Sequence, residues 1–148
     1  MMKSHLQEID GKLCYVEQSG EGENHTFFMQ ELLFEGQTPF QSVLIAKSEA
    51  YGTMLFLDGT VQSSENDEFI YHESLVHPAM VAHSAPKRVL VIGAGEGATV
   101  REVLRHPTVE QVVMVDIDEA LVELCKTHLG TWHQHAFADA RLTLLFQD

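Results

Sequence analysis

A chain of 148 residues suits one domain of ordinary size, or one small domain and part of another. With 45% hydrophobic and 21% charged residues it has a soluble globular composition, and it contains no run of eighteen apolar residues to span a bilayer. The net charge of −13, from 22 acidic and 9 basic residues, argues against nucleic acid or an anionic membrane as partner; it suits a cationic small substrate, although solubility alone also accounts for it.

The opening MMKSHLQEID has no apolar core of a signal peptide, and Cys14 and Cys125 show neither metal nor redox spacing, so both are expected to be reduced thiols of a cytoplasmic protein. Residues 12–18, 27–34, 41–47 and 53–57 are rich in Val, Leu, Ile, Phe and Tyr and read as strands. Ser19-Gly20-Glu21-Gly22, Gly36-Gln37-Thr38-Pro39, Tyr51-Gly52 and Asp58-Gly59 punctuate them. The pattern predicts a small antiparallel β domain over residues 1–65, with exposed edges and little core of its own, packed on the next domain or on another subunit.

The character changes in 66–148. Residues 66–83 read as a helix, with Phe69, Ile70, Glu73, Leu75, Val76, Met80 and Val81 at roughly helical spacing and an interruption at Pro78. An apolar run over 89–92 meets Gly93, a helix over 99–106 stops at Pro107, and 109–115 is a second, β-branched run. Asp118 opens a helix over 119–129, closed by Gly130, and 141–146 is a third strand. This β-α-β-α-β order with short connections predicts an α/β, doubly wound parallel sheet. A complete sheet of that kind has more than three strands, so the chain is expected to stop in mid-domain.

Gly93-Ala94-Gly95-Glu96-Gly97 joins the first of these strands to its helix, and Asp116 ends the second strand. Glycines let the backbone turn sharply and approach a ligand, and a carboxylate at the second strand end can accept hydrogen bonds from ribose hydroxyls. Gly93, Gly95, Gly97 and Asp116 therefore describe a nucleoside site; the bland reading is a turn that only helps helix and sheet to pack. The spacing is G-x-G-x-G, and Glu96 inside the loop would repel a pyrophosphate. A carboxylate there is costly without a cation. It opposes the carboxylate of the usual methyl donor and suits the ammonium of a decarboxylated one, unless Glu96 faces outward.

Leu57-Asp58-Gly59-Thr60-Val61-Gln62, Asp67-Glu68-Phe69-Ile70-Tyr71-His72-Glu73, His77-Pro78 and VLVIGAGEGATVREVLRHPTVEQVVMVDID resemble the signature of the polyamine aminopropyltransferases, the spermidine and thermospermine synthases. The resemblance runs from about residue 25 to Asp148. It implies a Rossmann-like sheet of the class I methyltransferase type, interrupted halfway, behind an N-terminal β domain for oligomerisation into a homodimer or homotetramer. It implies aminopropyl transfer from decarboxylated S-adenosylmethionine, a co-substrate rather than a cofactor, to a polyamine, with no metal.

By the same resemblance Gln41 touches the nucleoside, Gln62 faces the donor, and Tyr71 lines the channel between the substrates. His72 lies near the amine acceptor, Glu96 binds a substrate amino group, Asp116 the ribose, and Asp148 the adenine amino group. The aspartate of a D-x-x-D-P loop, which the resemblance makes the catalytic base, is not in this sequence. Three departures from the common G-G-G-D-G pattern favour thermospermine over spermidine synthesis: the loop reads G-A-G-E-G, the ribose acid is Asp116, and His135-Ala136-Phe137-Ala138-Asp139 precedes the third strand. The alternatives are a spermidine synthase acting on putrescine, a methyltransferase using the carboxylate-bearing donor, and a non-catalytic chain that only binds a partner.

Other residues have plainer readings. The histidines form no recognised metal set, His133-x-His135 being a loose pair without a third partner. Trp132 and the Leu121, Val122, Leu124, Cys125 face are packing residues. Asp67, Glu68 and Glu73 combine a solvated helix start with the functional turn that carries Tyr71 and His72.

Overall fold

Turn dipeptides set the hairpins of the first unit. Asp10-Gly11 (φ 52° and 74°) and Asp58-Gly59 (φ 49° and 89°) each place two consecutive residues in the left-handed region, as tight hairpin turns require. The computed structural model describes residues 5–148; residues 1–4 of the opening segment lie outside the described residues. The chain divides into two compact units between Asn66 and Asp67. Among the described residues no helix is long and apolar enough to cross a membrane.

The first unit is a six-stranded antiparallel sheet in chain order: β1 (Leu6–Ile9), β2 (Lys12–Gly20), β3 (Glu23–Gln37), β4 (Ser42–Ser48), β5 (Gly52–Leu57) and β6 (Thr60–Ser64). The long β3 pairs with β2 through its first half and with β4 through its second, and its register shifts at Met29/Glu31 and Leu32/Phe34. Such bulges bend a strand and raise its twist, so one strand serves both halves of a curled sheet. Inside lie Tyr15, Met29, Leu44, Ala46, Met54 and Phe56, with the Tyr15 and Phe56 rings 4.2 Å apart. The buried Glu17 accepts the Val61 N–H at 3.3 Å and ties β2 to β6. β1 and β6 are additions to the predicted strands. Their residues, LQEI and TVQSS, are mostly polar and exposed, so apolar alternation gives no signal.

The second unit runs α1 (Glu68–Ala82), β7 (Arg88–Ile92), α2 (Ala98–Leu104), β8 (Gln111–Asp116), α3 (Glu119–His128), α4 (Gly130–His133), a 3-10 turn (Ala136–Ala138) and β9 (Leu142–Phe146). β7, β8 and β9 form a parallel sheet in that order. The ladder pairs Ile92 with Val115 and Asp116 with Phe146, which aligns the three carboxyl ends at one edge. Val91, Val100, Val103, Val112, Met114 and Val122 fill the core between sheet and helices. Asp118 caps α3 by accepting the Leu121 N–H at 3.0 Å. Trp132 is fully buried, and on α3 Leu121, Val122 and Cys125 face inward while Leu124 is only half-buried.

Helix α1 departs from its sequence reading at Pro78. It continues through Pro78 instead of breaking there. A proline removes one helical hydrogen bond, and the buried Val76 and Met80 pack on either side of it. Its buried positions are Glu68, His72, Val76 and Met80, one every four residues, whereas Phe69, Ile70, Tyr71, Leu75 and Val81 are exposed. The inward stripe is polar in its first half because ion pairs, not apolar contacts, hold that half in place. Cys14 and Cys125 are free and completely buried, one in each unit. Burial, with the nearby charges of Glu96, Asp116 and Asp118, pushes the Cys125 thiol up.

Candidate functional site

The turn after β7 reverses the chain with three residues in the left-handed region, Gly93 (φ 78°), Ala94 (φ 69°) and Gly97 (φ 79°). Gly93 N–H donates to Val115 O at 2.8 Å, which pins the loop to the end of β8, and Gly97 N–H donates to Ala94 O at 2.9 Å. Gly95 lies close against the strand end: a Cβ there would stand 3.4 Å from Asp116 Oδ2 and 3.3 Å from Leu121 Cδ2. The loop backbone and the Asp116 carboxylate thus face each other directly. The methyl of Ala94 is more than an ornament of the turn, because a β-carbon in the left-handed region costs about 1–2 kcal/mol. Ala94→Gly is expected to stabilise the second unit by about 0.5–1 kcal/mol after the entropy of the extra glycine, seen as a higher thermal midpoint; an unchanged or lower midpoint would contradict the strain.

Asp116 closes β8 and is 8% exposed. Its Oδ1 accepts the Asp118 N–H at 2.9 Å. Burial, partly offset by that bond, holds its carboxyl above the ordinary range, and the charges of Asp118 and Glu96 add to the rise. A buried acid held this way gains from any ligand that donates hydrogen bonds to it. Beside it, Gln147 N–H donates to Asp116 O at 3.1 Å, which brings the end of β9 and the exposed Asp148 to the same edge of the sheet.

Glu96 already has a side-chain partner within the protein. Its Oε1 lies 3.0 Å from His72 Nε2, and His72 is 2% exposed. The other ring nitrogen of His72 lies 2.8 Å from Glu68 Oε2 and 2.8 Å from the Glu68 carbonyl. Burial opposes charge on the ring, but hydrogen bonds and charges from Glu96 and Glu68 outweigh it and raise His72 above its ordinary value. The Tyr71 ring stands edge-on to His72 at 5.0 Å, and Tyr71 itself is exposed.

Behind this pair lies a buried ionic chain that the sequence reading missed. Arg101 donates to both Glu68 oxygens, at 2.7 and 3.0 Å, to Glu102 Oε1 at 2.7 Å, and to the Trp132 carbonyl. Glu102, completely buried, also receives Arg105 at 2.8 Å and lies 3.1 Å from His77 Nε2. Burial works against its charge, yet Arg105 and Arg101 hold its carboxyl below the usual range. His77 in turn meets His106 at 2.9 Å. Two sequence signals were available: Glu68 and His72 stand four residues apart, and Arg101-Glu102 is a charged pair within the apolar segment Ala98–Leu104. Glu73, His77 and Glu102 bring one donor atom each within 4.8 Å of one another. Arg105 stands among them, bonded to both carboxylates, so a guanidinium already neutralises this group.

The structure therefore brings Gly93, Gly95, Gly97, Asp116 and Asp148 to one edge of the parallel sheet and bonds His72 to Glu96. Gln41 and Gln62 belong to the first unit. Gln41 is half-buried before β4, its N–H donating to Thr38 Oγ1 at 3.1 Å; Gln62 is exposed in β6, its amide donating to Thr60 O at 3.2 Å.

Comparison with known proteins places the chain in a family. The family described as "Spermine/spermidine synthase domain" matches residues 68–148, more than half of the chain, and that described as "Spermidine synthase tetramerisation domain" matches residues 14–65. Polyamine aminopropyltransferase 2 of Pseudomonas aeruginosa is 50% identical over 143 residues, which cover 97% of this chain and 41% of that protein. The crystal structure of spermidine synthase from Thermotoga maritima superposes with a TM-score of 0.89 at 32% identity, over 99% of this chain and 51% of that one. A spermidine synthase in complex with the transition-state analogue AdoDATO gives the same values. The chain spans about half, or less, of the length of these relatives. A family match over residues 68–148 and relatives about 50% identical over nearly the whole chain show that the chain belongs to the spermine/spermidine synthase family.

Proposed function

We propose that this chain belongs to a polyamine aminopropyltransferase that moves the aminopropyl group of decarboxylated S-adenosylmethionine to a polyamine, with spermidine as acceptor and thermospermine as product. The observation that carries the reading is the Gly95–Asp116 juxtaposition, with Glu96 in the same loop: a nucleoside cradle that sets two acids, Asp116 and Glu96, about one glycine turn. In the reaction the acceptor nitrogen attacks the methylene next to the sulfonium. The carbon–sulfur bond breaks with its electron pair going to sulfur, and methylthioadenosine leaves as a neutral thioether. Before the attack the acceptor amine gives up its proton to a base that the resemblance assigns to a loop not in this sequence. In this reading Gly93, Gly95, Gly97, Asp116 and Asp148 hold the nucleoside, with Gln41 and Gln62 on the donor; Glu96 and His72 take the ammonium side, and Tyr71 lines the acceptor channel. Positioning for in-line attack and stabilisation of the migrating positive charge are the chemistry such residues supply.

Decarboxylated S-adenosylmethionine acts here as a co-substrate and no cofactor is called for. The N-terminal sheet is assigned to assembly as a homodimer or homotetramer, in keeping with the tetramerisation-domain match over 14–65. A cytoplasmic setting fits two unpaired buried thiols. The choice of spermidine over putrescine rests on G-A-G-E-G, Asp116 and the His135–Asp139 stretch alone.

Calorimetry on the full-length protein tests the reading. The decarboxylated donor is expected to bind at least about tenfold more tightly than the carboxylate-bearing one, the effect of one charged contact; equal or tighter uptake of the latter would favour a methyltransferase. Asp116→Asn can keep the Asp118 contact through its amide oxygen while removing a poorly solvated charge. It is expected to stabilise the fold by about 1 kcal/mol and to weaken nucleoside binding at least about tenfold. Chromatography of products from spermidine and from putrescine then decides the acceptor.

A further inference from the structure

The His72 ring meets oxygen on every polar side. Nε2 faces Glu96 Oε1 at 3.0 Å, and Nδ1 faces both Glu68 Oε2 and the Glu68 carbonyl at 2.8 Å. A neutral imidazole has one N–H and one lone pair. Either neutral tautomer would therefore point a lone pair at a carboxylate in a site that is 2% exposed. A doubly protonated ring satisfies all three contacts. Glu68 is itself fixed: its two oxygens receive the Arg101 guanidinium, which also bonds Glu102 and the Trp132 carbonyl. Along one path, buried until it reaches the exposed Arg105, the groups read Glu96, His72, Glu68, Arg101, Glu102, Arg105, and with a protonated ring their charges alternate in sign throughout.

We propose that Glu68, which touches no substrate, is a positioning residue for the loop acid: by holding His72 doubly protonated it clamps one oxygen of Glu96 and leaves the other to take an ammonium. The inference rests on the ammonium-binding reading of Glu96. Glu96 sits in a loop that turns through Gly95 and Gly97, where backbone freedom is greatest, and the described residues give its side chain a single bonded partner, His72. Without that bond the carboxylate would sample other rotamers and the site would lose its aim. A second consequence concerns strength. A carboxylate paired to an imidazolium attracts an ammonium less than a bare one does, so the clamp exchanges some pull for direction. The raised protonation of His72 agrees with the geometry. The charged and titratable groups that meet the ring are Glu68 and Tyr71 on α1 and Glu96 in the loop, with Arg101 of α2 behind Glu68.

The test uses the full-length protein labelled with 15N at histidine, with the His72 signals identified by their loss in His72→Gln. At neutral pH both ring nitrogens of His72 are expected to carry protons; a neutral ring in the unmodified protein would overturn the proposal. Glu68→Gln should make the ring neutral at the same pH. It should also weaken the decarboxylated donor about tenfold, the effect of one lost bond to a charged group. Methylthioadenosine, which lacks the ammonium, should bind unchanged, and Glu68→Asp should restore the ring signature and most of the donor affinity. Unchanged donor affinity in Glu68→Gln, or equal losses for donor and methylthioadenosine, would mean that Glu68 does not aim Glu96. If the unmodified protein does not favour the donor over methylthioadenosine at all, the ammonium-binding reading of Glu96 falls, and the nitrogen signature still decides whether Glu68 holds the ring.

Discussion

Methionine in place of Arg101 is expected to destabilise the second unit by about 3–5 kcal/mol, the usual consequence of removing one member of a buried charge network. The guanidinium is 7% exposed and neutralises Glu68 and Glu102 together, while also filling the Trp132 carbonyl. Its loss leaves two buried carboxylates dependent on His72 and Arg105. Lysine should recover little, because one ammonium cannot reproduce a fork that bonds two acids and a carbonyl. Denaturant unfolding gives the measurement, and a loss below about 1 kcal/mol, the range of exposed pairs, would show that the network is ordinary surface decoration.

The same substitution should flatten the pH dependence of stability. His72, raised above its ordinary 6.5, contributes fully below that value and loses its contribution as pH rises through the folded-state value. Glu102, lowered from 4.5, contributes fully above that value and loses its contribution as pH falls through its depressed one. The part of stability these two groups supply is therefore largest between about 4.5 and 6.5 and declines on both sides. With Arg101→Met the acid-side slope should shrink, since Glu102 would keep only Arg105 and His77.

Gly97→Ala is the second large effect. Gly97 has φ 79°, and a Cβ there would stand 2.6 Å from Phe137 Cε2 and 2.8 Å from His133 Cβ. The backbone penalty of about 1–2 kcal/mol adds to an overpacking penalty of about 1–3 kcal/mol, for roughly 3 kcal/mol in all. Phe137→Leu in the same protein should return part of the steric share and none of the backbone share. Thermal unfolding of the single and double variants separates the two contributions. Full stability in Gly97→Ala would mean that the loop reaches this geometry without needing glycine.

The β-α-β-α-β order was legible because β7, β8 and α3 carry long apolar patterns with firm punctuation at Gly93, Pro107, Asp118 and Gly130. Asp58-Gly59 was readable as a turn because apolar residues precede it. Asp10-Gly11 has the same geometry but lies between LQEI and Lys12, too polar to suggest a hairpin. The glycine loop and Asp116 could be placed together from their positions at strand ends. The Glu68–His72–Glu96 connection could not, since His72 and Glu96 stand 24 positions apart and only the packing of α1 on α2 closes that distance. Helix α1 illustrates the general difficulty. Its inward face carries the polar Glu68 and His72, whose side chains bond Arg101 on α2 and Glu96 in the loop, partners that spacing along one helix does not reveal.

Each unit hides one free sulfhydryl, Cys14 in the sheet and Cys125 on α3, both with no exposed surface. An alkylating reagent can reach either one only when its own half opens. Brief pulses followed by peptide mass spectrometry would therefore clock the opening of the two halves separately in one sample, with no added label, and reveal whether they come apart together or in sequence.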